Sequence, residues 1–240
     1  MATENDWFTT NIHHRLIDKR AVFVSNMSVD QSEYRTMSFE EASAEVVRKI
    51  SNKYENIYVP LSGGMDSEYV FNCFYKAQVK CTPVIVNSPA NQEEVTFAFK
   101  RCEETRTDPV IIEMKEHELL QTYYELIYKK LGGRGINSVA AYVATKYIKE
   151  QNGISIIGEH GYDGVNEWDF YNDILLGKES SIYFFLYTPE IHFAMVNAYE
   201  GQEDHQEFKH NLYKIPKRHK MTYTYSHIGT QLIHRLMRTL

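Results

Sequence analysis

The stretch Asn56-Ile57-Tyr58-Val59-Pro60-Leu61-Ser62-Gly63-Gly64-Met65-Asp66-Ser67 decides how this chain folds. A short β-prone run ends in Ser-Gly-Gly, and a helical pattern with Val70, Cys73, Phe74 and Ala77 on one side follows directly. Open α/β sheets hold phosphate groups at such strand–glycine–helix junctions, where a helix N-terminus presents N–H groups and positive dipole charge. The spelling excludes two common versions of that loop. It is neither Gly-x-x-x-x-Gly-Lys-Ser/Thr nor Gly-x-Gly-x-x-Gly. It holds no lysine, and an aspartate stands where phosphate would lie.

Each residue has a physical role in this reading. Leu61 ends the strand, and Gly63 and Gly64 let the backbone turn through positive φ and approach a ligand closely. Successive amides in such a turn make an anion-binding concavity. The hydroxyls of Ser62 and Ser67 can each donate to a phosphate oxygen. Asp66 would repel phosphate unless Mg²⁺ lies between them, and Mg²⁺ is typically held by one or two carboxylates plus substrate phosphates. The same residues also suit a plainer role, a Gly-Gly turn with Asp66 or Ser67 capping the helix.

Outward from this junction the chain alternates. Upstream, 21–25 (Ala-Val-Phe-Val-Ser) is the one clear strand expected before residue 37. Ser38-Phe39-Glu40-Glu41 is a capping-box pattern opening a helix with Phe39, Ala42, Val46, Val47 and Ile50 on one face. Downstream, strands are expected at 81–87, 109–114 and 154–157, and helices at 92–105, 116–131 and 138–151. Residues 132–135 (Gly-Gly-Arg-Gly) form a flexible break. This alternation predicts an α/β fold, a parallel-sheet three-layer sandwich, with a mostly helical C-terminal part. Three parts are expected: an N-terminal strand and helix extension (1–52), a nucleotide core (53–164), and a basic helical segment completing the site (165–240). Ligands of such sheets bind at the carboxyl ends of strands, which nominates Asn87, Ser88, Lys115 and 158–163 beside the glycine loop.

Ser62-Gly63-Gly64-Met65-Asp66-Ser67 resembles the Ser-Gly-Gly-x-Asp-Ser loop of the N-type ATP pyrophosphatases at all six positions. That superfamily includes the synthetase domains of asparagine synthetase and GMP synthetase, NAD synthetase, argininosuccinate synthetase and tRNA lysidine synthetase. The resemblance implies an adenine nucleotide alpha-hydrolase-like fold. It also implies ATP and Mg²⁺ as cofactors, and cleavage of ATP to AMP and pyrophosphate through an adenylated acceptor. The segment Gly158-Glu159-His160-Gly161-Tyr162-Asp163-Gly164 resembles the Gly-Glu-Gly-Ala-Asp-Glu segment of asparagine synthetase. Asp163 stands one residue further from the glycine, and Gly164 replaces the second acid. The resemblance makes Gly158 and Glu159 site residues and Asp163 the metal partner of Asp66, so that Asp66, Glu159 and Asp163 are the expected catalytic carboxylates. A glycine-rich surface loop with ordinary acidic residues is the alternative. His160 titrates near neutrality and suits proton transfer, although a single loop histidine is more often incidental. Arg134 resembles the family's second basic phosphate contact. Lys214, Lys217 and Arg218 are candidates for phosphate contact, with a solvated charge run at least as compatible, and the resemblance to asparagine synthetase implies a lysine from the C-terminal region without saying which.

Composition sets the limits. The 240 residues are 43% hydrophobic and 24% charged, ordinary for a globular protein with a real core. No signal peptide and no membrane span are expected, so a cytoplasmic setting is. Cys73, Cys81 and Cys102 include no Cys-x-x-Cys pair, which argues against a zinc site or a sulfur relay and for reduced structural thiols. The net charge of −6 is uneven: residues 209–240 hold seven Lys/Arg and no acid, leaving 19 basic against 32 acidic residues, or −13, in 1–208. The acidic body weighs against broad nucleic-acid binding, while the basic tail leaves an opening for it. Residues 165–190 are rich in aromatics, suited to core packing more than to an acceptor pocket.

The expected function is an AMP-forming ligase with ATP and a small-molecule acceptor as partners. Ammonia or an amine is the expected donor, because residue 2 is Ala2 and no N-terminal cysteine nucleophile is present. A tRNA- or nucleobase-modifying enzyme and a non-catalytic nucleotide-binding module are the alternatives.

Overall fold

The computed structural model describes residues 8–17, 20–29, 35–128, 136, 138–158, 181–199 and 205–216. Two strands, β1 (Phe8–Ile17) and β2 (Arg20–Val29), pair antiparallel in unbroken register from Phe8↔Val29 to Ile17↔Arg20 and form a sheet of their own. One strand at 21–25 was expected. Thr9, Asn11, His13 and Arg15 dilute the apolar pattern in the first strand, but ladder hydrogen bonds come from the backbone and need no apolar side chain.

The capping box forms as written. Ser38 Oγ accepts the Glu41 N–H at 3.3 Å, and Glu41 Oε2 accepts the Ser38 N–H at 3.0 Å. It starts α1 (Phe39–Lys53), whose Phe39, Ala42, Val46, Val47 and Ile50 are all buried. Then follow β3 (Ile57–Pro60), α2 (Met65–Lys76), β4 (Thr82–Asn87), α3 (Gln92–Thr105), β5 (Val110–Glu113) and α4 (Glu116–Thr122). In α2 the expected face is reached by Val70 and Phe74, whereas Ala77 is the exposed C-cap. The helix expected over 116–131 changes character after Thr122 and continues as a π-helical turn, Tyr123–Tyr128. After it come α5 (Ser138–Glu150) and β6 (Ile154–Ile157).

The aromatic stretch contains an element the sequence reading did not expect. Ser181–Tyr183 is a strand, β7, pairing parallel with β6 through Ser155↔Ser181 and Ile157↔Tyr183. A single 3-10 turn (Phe184–Leu186) leads to α6 (Pro189–Tyr199), and α7 (His205–Tyr213) ends the described chain's helices. The segment from residue 165 onward thus supplies a strand to the sheet as well as helices beside it.

The main sheet has the order β5-β4-β3-β6-β7, all parallel. Alternation along each strand divides it between two layers. Ile57, Val59, Leu61, Ile85, Ile154, Ile156 and Ile182 join one core with α1, α2, α3, α6 and α7. Val84 and Val86 face the other way, onto Ala144 and Ile148 of α5. This is the three-layer α/β sandwich with a parallel sheet expected from the sequence. The chain leaves β3 toward β4 on one side and β6 toward β7 on the other. The carboxyl ends of β3 and β6 therefore flank a topological switch point, the crevice where open sheets bind ligands.

The three cysteines are free, and burial pushes the thiols of Cys73 and Cys81 up to about 12 and that of Cys102 to about 11. They act as small apolar side chains rather than nucleophiles. No helix among the described residues is long and apolar enough to cross a membrane.

His192 on α6 is 5% exposed, and burial lowers its pKa from 6.5 to about 4. The unfolded chain therefore binds a proton between those values that the folded chain rejects. Stability from this group is complete above pH 6.5 and falls as pH drops toward 4, approaching about 1.4 kcal/mol per pH unit. Urea titrations of the native protein and of His192→Leu across pH 4–7 should show that slope in the native protein and lose it in the variant.

Candidate functional site

The loop after β3 is organised by its own hydroxyls. Ser62 donates its N–H to Ser67 Oγ at 3.3 Å, and Ser67 Oγ–H donates to the Gly64 carbonyl at 3.1 Å. The two hydroxyl oxygens lie 3.1 Å apart, and the Gly64 N–H donates to Ser62 Oγ at 3.3 Å. Leu61 ties the strand end to its neighbour by donating its N–H to the Val84 carbonyl at 2.8 Å. Gly63 has φ +89°, and a Cβ there would overlap the Glu94 carbonyl oxygen of α3. This is the one positive-φ glycine the turn requires. Gly64 has φ −72° and is the N-cap of α2, with no side-chain cap bond. Neither Asp66 nor Ser67 caps the helix. Both lie in its first turn, where helix amides lack intrahelical partners.

Gly158 closes the site from β6. A Cβ on it would stand 2.7 Å from the Asp66 carbonyl carbon and oxygen. Glycine there lets the end of β6 lie against the first turn of α2, which brings the two strand ends of the switch point into one crevice.

Asp66 is gripped from the C-terminal part of the chain. Lys209 Nζ of α7 donates to Asp66 Oδ2 at 2.7 Å, and Tyr213 Oη–H donates to Oδ1 at 2.9 Å. Lys209 is 5% exposed. Lys209 and Tyr213 stand four apart on α7, one helical turn, and so reach the two oxygens of one carboxylate together. The Tyr213 ring is in turn stacked at 4.5 Å on Tyr69, three residues after Asp66 on α2. Phe39 and Phe185 complete the stack, with centroids 5.2 Å from Tyr69 and 5.9 Å from Tyr213 respectively. Charge, hydrogen bond and aromatic area thus fasten α7 to the first turn and a half of α2.

Beside the loop lies a cavity of about 280 Å³. One side is polar: Ser62, Gly64, Asp66 and Ser67, with Ser88 from the loop after β4, Asn91 at the N-cap of α3 and Glu94 in its first turn. The other is apolar: Val84 and Val86 of β4, Ile136, and Ala140, Ala141 and Ala144 of α5. Its small residues leave room between α5 and the sheet. The rim at 88–91 is stiff, because Asn91 Oδ1 accepts both the N–H and the hydroxyl of Ser88, at 2.9 and 2.8 Å. The Asn91 amide also donates to the Val86 carbonyl at 2.8 Å.

Of the residues expected from sequence, Leu61, Ser62, Gly63, Gly64, Asp66, Ser67, Ser88 and Gly158 come together at this crevice. Asn87 does not face it: its amide donates to both carboxylate oxygens of Glu113, at 2.9 and 3.1 Å. Lys115 is exposed and is the N-cap residue of α4, donating its backbone N–H to Glu118. Lys214 pairs with Glu40 at 2.8 Å on the open surface, both side chains about 70% exposed. Its φ of +54° takes the chain out of α7 and aims it away from the crevice. The basic side chain that reaches Asp66 is Lys209, within α7. Arg134, Glu159, His160, Asp163, Lys217 and Arg218 lie outside the described residues. Lys209 and Tyr213 had a sequence signal: they alternate with Phe208 and Leu212 on a helical apolar stripe, where a lysine needs a buried anion as partner.

Asp66 is the one carboxylate of the loop that could hold an oxygen-preferring divalent cation. Among the described residues no group of three His, Cys, Asp or Glu surrounds a common point. A cation here would be held by Asp66 together with phosphate oxygens, which is how Mg²⁺ usually binds. An ammonium already bonded to Asp66 Oδ2 marks that oxygen as one a cation can hold.

The geometry predicts a coupled pair. Removing Lys209 alone, as Met, leaves Asp66 without its counter-charge, and removing Asp66 alone, as Asn, leaves a buried ammonium. A double-mutant cycle by urea unfolding should give a coupling energy of about 1–3 kcal/mol. Gly63→Ala, with its overlap and positive φ, should cost about 1–3 kcal/mol in the same assay.

No protein-family model matches the chain, and no curated protein matches it. Among solved structures it is similar to NMN synthetase from Francisella tularensis, with 17% identity, 82% of this chain and 95% of that chain covered, and a TM-score of 0.43. It is similar to the NH3-dependent NAD synthetase from Campylobacter jejuni, in complex with nitrate, with 16% identity, 85% and 89% covered, and a TM-score of 0.44. A third is the U34-tRNA thiolase NcsA from Methanococcus maripaludis with its 4Fe-4S cluster, at 17% identity, 84% and 80% covered, and a TM-score of 0.36. Likeness of this degree assigns no chemistry to the chain.

Proposed function

We propose that this protein is an N-type ATP pyrophosphatase, an AMP-forming ligase that adenylates a small-molecule acceptor. One observation carries the reading. The six-residue Ser-Gly-Gly-x-Asp-Ser loop stands at the switch point of a parallel sheet, its aspartate ion-paired at 2.7 Å to a buried lysine, beside a cavity with one apolar and one polar wall. The cavity of about 280 Å³ lies just below the usual range of small-molecule pockets, about 300–1,000 Å³. Val84, Val86 and the alanines of α5 offer the flat apolar wall an adenine base uses. The hydroxyls and first-turn amides of 62–67 offer donors to a departing pyrophosphate.

In the proposed reaction an acceptor carboxylate or carbonyl oxygen attacks the α-phosphorus of ATP. The bond from that phosphorus to the α,β-bridging oxygen breaks, and pyrophosphate leaves with its electrons. Ammonia or an amine then attacks the activated carbon, and AMP departs with the former acceptor oxygen. Such a transfer depends on positioning and charge neutralisation more than on a protein nucleophile. Mg²⁺ held by Asp66 would neutralise phosphate charge. Ser62, Gly64 and Ser67 orient the leaving group, and Lys209 balances the charge of Asp66 before nucleotide arrives and that of the phosphates afterwards. Asp163 and Glu159 are proposed as the facing carboxylates, and Arg134 and Lys217 as outer phosphate contacts. An asparagine synthetase-like acceptor is the finer proposal and rests on the residues of 158–163.

The decisive assay measures AMP and pyrophosphate against amino acids, nucleobase carboxylates and tRNA, with ammonia present. AMP and pyrophosphate in equal amounts are expected with a small acceptor, and Asp66→Asn should lower the rate by at least about 10²-fold. Release of ADP and phosphate overturns the reading. Turnover only with tRNA moves it to a nucleic-acid-modifying enzyme, and ATP binding without turnover to a nucleotide-binding module.

A further inference from the structure

Asp66 offers two oxygens, and the structure treats them differently. Oδ2 is bonded to Lys209, a buried point charge on a four-carbon stem that no ring stack holds in place. Oδ1 is bonded to Tyr213, whose ring is 3% exposed and packed among Phe39, Tyr69 and Phe185, with the Phe185 plane inclined to it by only 2°. A ring held in that stack cannot swing its hydroxyl to another acceptor without disturbing three other aromatic side chains, from α1, α2 and the turn after β7. A phenol O–H donates its hydrogen bond to that oxygen without bringing a formal charge. A neutral donor does not compete with a metal for charge. It fixes the carboxylate and leaves exchange to the other oxygen.

We propose that Tyr213 is a positioning residue: it holds Oδ1 of Asp66 and so reserves Oδ2 for exchange between Lys209 and a divalent cation at the glycine loop. The proposal rests on the reading that Asp66 receives that cation. It makes metal affinity depend on the docking of α7, since Lys209 and Tyr213 belong to that helix alone. A partner that fixes the orientation of a metal-ligating carboxylate is worth about 10–100-fold in metal affinity.

The test titrates Mn²⁺, followed by the loss of its free-ion electron paramagnetic resonance signal, in the presence of α,β-methylene ATP. Native protein, Asp66→Asn and Tyr213→Phe are compared, with thermal unfolding and far-ultraviolet circular dichroism on each. Tyr213→Phe keeps the ring and removes only the hydroxyl. It should unfold as a cooperative protein yet bind Mn²⁺ about 10–100-fold more weakly, and AMP release should recover at high metal concentration, as a shifted half-saturation rather than a lost maximum. Equal Mn²⁺ affinity in native and Tyr213→Phe proteins, with affinity lost in Asp66→Asn, overturns the positioning role and leaves the proposed function standing. Unchanged affinity in Asp66→Asn overturns the metal reading itself. Should Tyr213→Phe not fold, 3-fluorotyrosine at position 213 reads the same bond with the hydroxyl in place. Its fluorine resonance should shift with Mg²⁺ in an otherwise native chain and stay fixed in the Asp66→Asn background, and a fixed resonance in both overturns the proposal.

Discussion

The grip of α7 on Asp66 is the constraint on which the rest of the site depends. A carboxylate in the first turn of α2 is favoured by the positive end of that helix, but it also repels any anion approaching the same amides. Pairing it with the ammonium of Lys209 removes that repulsion, and the hydroxyl of Tyr213 fixes its direction. The two partners come from a helix 143 and 147 residues away in sequence. The glycine loop is therefore electrostatically complete only when the C-terminal part of the chain is folded onto the sheet.

Packing makes that arrangement stable. Aromatic rings gain most when stacked with offset or gather edge to face, and Phe39, Tyr69, Phe185 and Tyr213 form one such group across α1, α2, the turn after β7 and α7. Two glycines do the complementary work of allowing close approach. Gly63 lets the loop lie against the start of α3, and Gly158 lets β6 lie against the start of α2. Aromatic bulk on one side and missing side chains on the other together define a crevice with a polar floor and an apolar wall.

The core elements were legible because their signals are local. The capping box at Ser38, the 3.6-residue stripes of α1 and α3, and the apolar runs of β3, β4 and β6 each declare themselves within a dozen residues. What escaped had signals that are short or misleading. The strand Ser181–Tyr183 is three residues long within an aromatic cluster, so its pairing with β6 could not be told from simple burial. Asn87 follows a strand as a ligand-binding residue would, yet its neighbour across the sheet, Glu113, takes its amide. Lys214 sits in a basic run, but a left-handed turn sends it to Glu40.

By itself, the sequence determined the alternation of strands and helices and the loop at 62–67, because hydrophobic period, caps and glycine turns act between near neighbours along the chain. Only the tertiary structure decided that β3 and β6 lie side by side at the switch point, and which cation and which phenol meet Asp66. Those depend on strand order and on one helical turn of register in α7. Both are settled by the packing of surfaces distant in sequence, which no local pattern encodes.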